Sequence, residues 1–370
     1  MTIRYGMLST HPPTRCGLAT FNSALATELF ARAGTGGIVR VTSAGDDERP
    51  APGVMHTWSG GDAGAWRGAA DALSSFDVAV IQHEYGIYPG TDGAEVLQVL
   101  DRLTVPAIVV LHTVLAQPSV GQRAVLERVV DATDAVVTMT SSGRDRLLVG
   151  YDVDATKVSV IPHGVVAGAD PSHVRTPQAH LLTWGLLGPG KGIEWALRAL
   201  ARLRDLDPAP RYTVAGQTHP KVVAREGEAY RERLHRLGSL LGVANAVTYR
   251  PDFLDAATLG RLIASADVIV LPYDSREQVT SGVLVEAVAA GVQVVATAFP
   301  HAVELLSDGV GVIVPHQDSA ALAAAVRLVL TKPAAGPSTP PTLRWPAVAE
   351  RYEDLAHRLI HTRSTTIDAR

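Results

Sequence analysis

Short apolar runs alternate with stretches of helical spacing along almost the whole chain of 370 residues. Strands are predicted in the first half at residues 3–8, 38–42, 54–58, 77–81, 107–111, 135–139 and 158–161. Helices are expected between them at residues 18–33, 65–73, 93–103 and 122–132, and Ser141 is expected to cap the next helix. Strands alternating with helices at this spacing predict an α/β fold with a doubly wound parallel sheet.

A second series of the same kind begins at Leu181. Its predicted strands are residues 181–187, 212–215, 246–249, 268–271, 292–296 and 311–314, and its longest helix is predicted at 224–241. A polar segment at 166–180 indicates a linker, and a proline-rich connection at 333–341 precedes a final helix at 345–361. The sequence therefore predicts domains at residues 1–166 and 180–342, followed by a helical segment at 343–370.

Composition narrows the class of protein. Hydrophobic residues make up 46% of the chain and aromatic residues only 5%, which suits parallel sheets buried under helices. The net charge of −4 is small and its signs are mixed, so nothing favours a nucleic-acid surface. A single cysteine, Cys16, is typical of a reducing cytoplasm. We see no secretory leader and no apolar run of transmembrane length, which leaves room for a peripheral membrane contact.

The stretch from Leu271 to Gly291 has the features of an anion site. An apolar run stops at Pro272, and a helix then opens at Thr280-Ser281-Gly282. Backbone N–H groups at a helix N-terminus lack partners and carry partial positive charge, so they suit an anion such as a diphosphate. Glu286 lies one turn into this helix and Gln278 lies eight residues before it. From this segment alone, a capped helix with a solvated glutamate is an equally good interpretation.

Chemically capable residues also follow other predicted strands, where ligands of doubly wound sheets bind. Gly17 follows the first strand, and His112 follows a later one. Between them, one strand ends at His83, Glu84 and Tyr85. Each has a structural alternative, since a glycine can serve only a turn and a histidine can be a hydrogen-bonded structural residue. No Cys/His pair has the spacing of metal ligands.

Residues 185–192 join a predicted strand to a helix and are rich in glycine, as phosphate loops are. The segment is not a Walker A motif, because Gly192 follows the lysine where Ser or Thr would hold Mg²⁺. It also lacks the G-x-G-x-x-G spacing of dinucleotide sites. Lys191 is a candidate counter-charge for a diphosphate, and a solvated lysine at a helix start is the alternative.

With these motifs assembled, the chain resembles the GT-B-fold retaining glycosyltransferases of the large family called family 4, or glycosyl transferases group 1. The most specific match is residues 281–296, which are similar to the second half of the family's acidic-pair block and to the strand after it. Shorter matches keep the family's order at residues 161–165, 191–192, 266–272 and 345–359. The resemblance implies two Rossmann-like domains facing across a cleft, with a C-terminal helix that crosses back to the first domain.

Carried over position by position, the resemblance implies catalytic roles for His112, Lys191 and Glu286. Glu286 would bind the ribose of a nucleotide diphosphate sugar, Lys191 its diphosphate, and His112 would lie near the donor sugar. The implied donor-binding positions are Gly17, Gly190, Lys191, Gln278, Thr280, Ser281, Gly282, Val283 and Glu286. The acceptor is expected near His83, Glu84 and Tyr85 of the first domain.

The resemblance thus implies a hexosyltransferase without cofactor or metal, and the single cysteine favours a cytoplasmic location. It would move a mannose- or glucose-type hexose from a GDP-, UDP- or ADP-sugar to a sugar, glycan or other hydroxyl acceptor, with retention of configuration. The base, sugar, acceptor, linkage and oligomeric state stay open.

Two departures from the family's pattern matter. Gln278 occupies the position of the first acidic residue, and Leu186 occupies that of a diphosphate-binding arginine, for which Arg15, Arg250 or Arg276 could compensate. An amide can hydrogen-bond sugar hydroxyls but cannot act as a nucleophile or base. These departures keep two rivals open. One is a non-catalytic nucleotide-sugar sensor or partner subunit with the same fold, and the other is a different GT-B enzyme such as an epimerase or phosphorylase.

Overall fold

The computed structural model describes residues 2–43, 49–60, 62, 64–166, 177–307, 310–331 and 340–368, with side chains as far as 363. Most of the predicted linker at 166–180 and of the proline-rich connection at 333–341 lies outside these residues. The chain forms two compact units. Unit 1 comprises Met1–Gly164 together with Pro341–Arg370, and unit 2 comprises Val165–Pro340.

Unit 1 contains a seven-stranded parallel sheet in the order β3-β2-β1-β4-β5-β6-β7. Its strands are β1 (Tyr5–Ser9), β2 (Gly36–Thr42), β3 (Val54–Ser59), β4 (Val78–His83), β5 (Ala107–Leu111), β6 (Ala135–Thr138) and β7 (Val158–Val160). Its first helices are α1 (Gly17–Ala33), α2 (Trp66–Leu73), α3 (Val96–Arg102), α4 (Val120–Asp131) and α5 (Ser141–Gly150). The strand order reverses between β1 and β4, as in a doubly wound sheet.

Unit 2 repeats the arrangement with six parallel strands in the order β10-β9-β8-β11-β12-β13. These are β8 (His180–Trp184), β9 (Arg211–Ala215), β10 (Val247–Arg250), β11 (Val268–Leu271), β12 (Gln293–Thr297) and β13 (Gly311–Val314). The helices are α6 (Ile193–Ala201), α7 (Pro220–Glu226), α8 (Ala229–Leu240), α9 (Ala256–Ala264), α10 (Gly282–Ala289), α11 (Pro300–Leu305) and α12 (Ser319–Thr331). The reversal here lies between β8 and β11. The predicted α/β class with parallel sheets is confirmed.

The last helix, α13 (Trp345–Asp368), belongs to unit 1, although it follows unit 2 in the chain. Its buried residues Val348 and Tyr352 share a core with Phe21 and Leu25 of α1 and with the inner face of the sheet. Full burial of one such apolar side chain contributes on the order of 2 kcal/mol. Trp345 also packs against Gly164, where an added Cβ would lie 2.2 Å from the indole. Residues 345–360 of α13 are therefore part of the core of unit 1.

In unit 2, apolar clusters cover both faces of the sheet. One cluster joins α6, α8 and α12 to residues such as Val268 and Val270 of β11. The other joins α9 and α10 to Ile269 and Leu271 of the same strand. Burial on both faces explains why β11 is a continuous apolar run in the sequence.

Two local predictions were wrong. Thr140, not Ser141, caps α5, because the Thr140 side chain accepts a hydrogen bond from the Gly143 N–H while Ser141 is already helical. The helix expected at 224–241 is two helices separated at Gly227, which has the left-handed φ of 61°. Glycine adopts this conformation without the steric cost that other residues meet. Within the described residues, no helix is both long and apolar enough to span a bilayer.

Candidate functional site

Two side chains fix the N-terminus of α10, that of Ser281 just before the helix and that of His301 on α11. Ser281 is extended at φ −142° and ψ 105°, and its hydroxyl accepts a hydrogen bond from the Leu284 N–H at 3.2 Å. The Ser281 N–H itself donates to Nδ1 of His301 at 2.8 Å. The N–H groups of Gly282 and Val283, in the first turn of α10, have no intrahelical acceptor. They are the amides that an anion would meet at this end of the helix.

The loop after β8 packs directly against the segment that follows β11. Gly192 has a φ of 63°, and an added Cβ there would lie 1.8 Å from the Pro272 carbonyl oxygen. The Asp274 N–H donates to the Gly190 carbonyl at 2.9 Å. Gly190 has a φ of 91° and open space where a Cβ would be, so a ligand can approach its backbone closely. The structure thus brings the predicted residues Gly190 and Lys191 to the segment that leads into α10.

Lys191 is held in this place by an aromatic ring. Its Nζ lies 4.3 Å from the ring centroid of Tyr273, which is fully buried on the segment after β11. In the described part of the chain, the ammonium pairs with no carboxylate. Burial lowers the pKa of Lys191 to about 8, so protonation of this lysine costs more than it does in water. A half-buried ammonium of this kind is well suited to bind an anion, which would raise its pKa again.

Glu286 is oriented by the strand end beside it. Its Oε2 accepts a hydrogen bond from the indole N–H of Trp184, at the end of β8, at 3.1 Å. Burial raises the pKa of this half-buried carboxyl, whereas the hydrogen bond from Trp184 lowers it. Gln278, eight residues earlier, is half-buried, and its backbone carbonyl oxygen accepts the backbone N–H of His301 at 3.3 Å. Both ends of the expected acidic pair therefore belong to the same part of unit 2 as Lys191.

In unit 1, the loop after β1 leads into α1 at Gly17. Cys16 caps this helix, and its sulfur accepts the Ala19 N–H at 3.4 Å. Gly17 is exposed, and an added Cβ would meet nothing within 4 Å. The backbone at Gly17 is therefore open to a close approach by a ligand.

His112, after β5, is fixed by a buried amide and an aromatic edge. Its Nε2 lies 2.9 Å from Oε1 of Gln82, which accepts the hydrogen bond, and its ring meets Phe21 edge-on at 4.8 Å. Burial, with smaller effects of His163 and His83, lowers the pKa of His112 to about 3. His112 is therefore neutral near pH 7, and with its proton on Nε2 it presents Nδ1 as an acceptor.

The predicted acceptor residues lie beside His112. The His112 N–H donates to the His83 carbonyl at 3.1 Å, and Glu84 accepts a short hydrogen bond from the hydroxyl of Thr113. The His83 side chain is 1% exposed, and neither ring nitrogen has a partner within the described residues. Burial lowers its pKa to about 4, and Tyr85 stands edge-on to the ring at 5.3 Å.

The remaining candidates are less constrained. Leu186 is half-buried, and Thr280 is half-buried before Ser281. The possible compensating residues Arg15, Arg250 and Arg276 are all exposed, and Arg276 lies on the segment between β11 and α10. Across the described ranges, no group of three or more His, Cys, Asp or Glu side chains could hold a metal ion.

Sequence reasoning missed three residues that position this site, namely Trp184, Tyr273 and His301. Tyr273 follows Pro272 in the motif that ends β11, so its place beside the site was readable, although its contact with Lys191 was not. Trp184 lies 102 residues from Glu286, and His301 lies 20 residues from Ser281. No local pattern signals such contacts.

Known proteins resemble the chain in sequence. The model of Glycosyltransferase Family 4 matches residues 27–167, and that of Glycosyl transferases group 1 matches residues 178–332. Glycogen synthase of Mycobacterium tuberculosis (strain ATCC 25618 / H37Rv) is 32% identical over 207 residues, which cover 55% of this chain and 47% of that protein. D-inositol 3-phosphate glycosyltransferase of Geodermatophilus obscurus is 32% identical over 295 residues, or 70% and 64% of the two chains. The chain thus spans about half the length of the mycobacterial relative.

Solved structures extend the likeness to the whole fold. Sucrose-phosphate synthase from Thermosynechococcus elongatus aligns with a TM-score of 0.73 at 18% identity, over 97% of this chain and 100% of that one. Anabaena Alr3699/HepE in complex with UDP and glucose aligns with a TM-score of 0.68 at 15% identity, over all of both chains. These neighbours confirm the GT-B class of fold. Since the two family models together match most of the chain in successive segments, the protein belongs to the group 1 and family 4 glycosyltransferases.

Proposed function

We propose that the protein transfers a hexose from a nucleotide diphosphate sugar to a hydroxyl acceptor, with retention of anomeric configuration and without a metal ion. One observation carries this proposal. The ammonium of Lys191, paired with no carboxylate of the described residues, and the first-turn amides of α10 lie along one segment of unit 2, residues 272–283. A cation and a helix N-terminus together are suited to a diphosphate.

The residues around that segment match the rest of a donor. Glu286, held by Trp184, would accept hydrogen bonds from the ribose hydroxyls. The side-chain amide of Gln278 both donates and accepts, and so would bind hydroxyls of the sugar. Gly190 and Gly17 leave room for close approach of the phosphates to the backbone.

Catalysis would consist mainly of stabilising the leaving group. As the bond from the anomeric carbon to the diphosphate breaks, negative charge develops on the phosphate oxygens, where Lys191 and the α10 amides would stabilise it. The acceptor oxygen would attack from the same face, and the departing phosphate oxygen would take its proton. This route needs no pair of carboxylates of the kind that glycosidases use.

The neutral histidines of unit 1 support an acceptor and sugar role. His112 presents an unprotonated Nδ1, whereas the His83 ring is buried, so an acceptor would reach the half-buried Glu84 and Tyr85 that follow it. Neutral imidazoles both donate and accept hydrogen bonds, as sugar hydroxyls require. We place His112 near the transferred hexose, and His83, Glu84 and Tyr85 near the acceptor.

The names of the relatives support a choice of the first donor to test. HepE was solved with UDP and glucose and with UDP-glucose, and other neighbours are named glycogen synthase and sucrose-phosphate synthase. We therefore propose a glucose-type hexose carried on UDP as the first donor to test, with GDP- and ADP-sugars next. A cytoplasmic location is part of the proposal, in keeping with the single cysteine.

A thermal-shift panel with GDP, UDP and ADP, followed by their sugars, tests the proposal. A ligand at about 100 times its Kd stabilises the folded state by about 2.7 kcal/mol, so one nucleotide should raise the melting temperature clearly. No shift at millimolar concentration would contradict the donor site. Transfer should then persist in EDTA, and NMR of the product should show the donor's anomeric configuration.

The rival reading is a non-catalytic nucleotide-sugar sensor, favoured by Gln278 and Leu186 at positions where the resemblance expects charged residues. The two readings separate in one assay. Binding without donor hydrolysis or transfer on any sugar acceptor would favour the sensor, whereas turnover that is lost in Lys191→Ala would exclude it.

A further inference from the structure

We propose that His301 is a positioning residue for the donor site, which sets the geometry between Gln278 and the N-terminus of α10. This inference rests on the proposed function, because the groups that His301 would position are the proposed phosphate and sugar ligands. His301 belongs to α11, is 5% exposed, and holds no place in the predicted donor set.

The argument begins with two hydrogen bonds made by this one residue. Nδ1 of His301 accepts the Ser281 N–H at 2.8 Å, and the His301 N–H donates to the Gln278 carbonyl at 3.3 Å. They clamp both ends of the four-residue stretch from Gln278 to Ser281. The backbone turn that separates the Gln278 side chain from the first-turn amides is therefore fixed from α11.

The segment that leads into α11 and His301 is packed tightly against Tyr273. Phe299, just before α11, is fully buried and stacks on Tyr273 with ring centroids 5.2 Å apart. The hydroxyl of Thr297, at the end of β12, donates to the Tyr273 carbonyl at 2.6 Å. Because the Lys191 ammonium also lies over the Tyr273 ring, Tyr273 contacts both Lys191 and the segment that carries His301.

The proposed role of His301 requires that its Nδ1 accept the hydrogen bond from Ser281. A buried N–H without a partner is costly, so removal of the Nδ1 acceptor should let Ser281 turn away and shift the amides of Gly282 and Val283 with it. Anion binding at a helix N-terminus depends on where those amides point. A displaced turn should therefore weaken the affinity for the diphosphate more than it unfolds the protein.

Three variants test the role. His301→Leu removes the acceptor, His301→Asn restores an acceptor oxygen at the position of Nδ1, and His301→Gln places its amide one bond further out. We expect His301→Leu to raise the Kd for UDP and the KM for UDP-glucose about tenfold, with a smaller change in kcat. His301→Asn should stay within about threefold of wild type, and His301→Gln should resemble His301→Leu.

His180→Leu is the matched control for loss of a buried histidine in the same unit. His180 is 2% exposed, and its ring nitrogens contact the Ser265 carbonyl at 2.9 Å and the Thr213 hydroxyl at 2.8 Å. It starts β8, at the amino ends of the strands, whereas the site lies at their carboxyl ends. This variant should lower the melting temperature but leave the Kd for UDP of the folded protein within about twofold.

Amide hydrogen exchange separates this inference from the proposed function. Exchange in peptides covering residues 278–285 should be at least about tenfold faster in His301→Leu than in wild type and should return in His301→Asn. If wild type binds no nucleoside diphosphate, the proposed function fails while this exchange still tests the clamp. Unchanged exchange, or equal loss of UDP affinity in His180→Leu and His301→Leu, would overturn the role of His301.

Discussion

The two units order their strands in the same way, yet the carboxyl ends of their strands carry different chemistry. Unit 1 presents His83, His112 and His163, whose pKa values are lowered by burial to about 4, 3 and 4. Unit 2 presents Lys191 and Glu286 beside the start of a helix. The shared topology sets where a ligand can bind, and we propose that the side chains suit unit 1 to a neutral hydroxyl compound and unit 2 to an anion.

The comparison rests most heavily on Lys191. Replacement by methionine, Lys191→Met, removes the charge and keeps much of the apolar stem over Tyr273. We expect kcat/KM for the donor to fall by about 100-fold, roughly the cost of losing one charge that acts on the transition state. Lys221→Met is the control, because Lys221 is exposed in α7 of the same unit and should keep its activity. Comparable activity in both variants would contradict the assignment.

Glu286 sharpens the difference between nucleoside and phosphate recognition. In Glu286→Gln we expect the Kd for UDP to rise about 20-fold, because a charged ribose acceptor is lost, while inhibition by inorganic pyrophosphate is unchanged. Trp184→Phe, which removes the N–H that orients the carboxylate together with part of the buried ring, should have a smaller effect of about threefold. Calorimetric titration with the two ligands makes the distinction. Equal losses for UDP and pyrophosphate would contradict the assignment of Glu286 to the ribose.

The charge of Lys191 also predicts a pH dependence that unit 1 should not share. Its pKa in the free protein is about 8, so the lysine is protonated below that pH and must take up a proton to bind an anion above it. Affinity for UDP should therefore fall about tenfold between pH 7 and pH 9, where phosphates are already ionised. Lys191→Arg, whose guanidinium stays charged, should flatten this profile. A profile as steep in Lys191→Arg would assign the titration to another group.

The smallest expected effect concerns the orientation of His112. Gln82→Leu removes the acceptor that keeps the His112 proton on Nε2, so the ring should lose its fixed tautomer. We predict a fall in kcat of about threefold to fivefold with the Kd for UDP unchanged. Glu95→Gln, which alters a half-buried carboxyl just before α3, serves as a control elsewhere in unit 1. A changed Kd for UDP in Gln82→Leu would contradict the separation of roles between the units.

The fold could largely be predicted from the sequence, because each buried parallel strand is a local run of apolar residues. β5, β11 and β13 fall at the predicted residues, and the other strands differ by a few residues at their ends. The break at Gly227 was missed because the apolar spacing continues across it, and only the backbone conformation shows the interruption. The cap at Thr140 was missed because three hydroxyl residues, at 140–142, follow one another.

The candidate site likewise contains residues that the sequence predicts and residues that it does not. Lys191, Ser281 and Glu286 stand in motifs whose chemistry is local, so their proximity in unit 2 could be anticipated. Trp184 and His301 act on them through contacts made by other strands and helices. The neutral state of His112 depends on burial, which requires the packed core of unit 1. The contacts of Trp184 and His301 and the neutral state of His112 therefore depend on tertiary packing, which residue type alone does not reveal.

One calorimetric experiment tests the division of roles most directly. The intact protein is titrated with the nucleoside diphosphate that stabilises it most, in wild type, Glu286→Gln and His112→Ala, and transfer is measured on the same samples. Our account predicts that Glu286→Gln loses affinity, whereas His112→Ala binds within about twofold of wild type but transfers at least about tenfold more slowly. Loss of nucleotide binding in His112→Ala with retention in Glu286→Gln would contradict it.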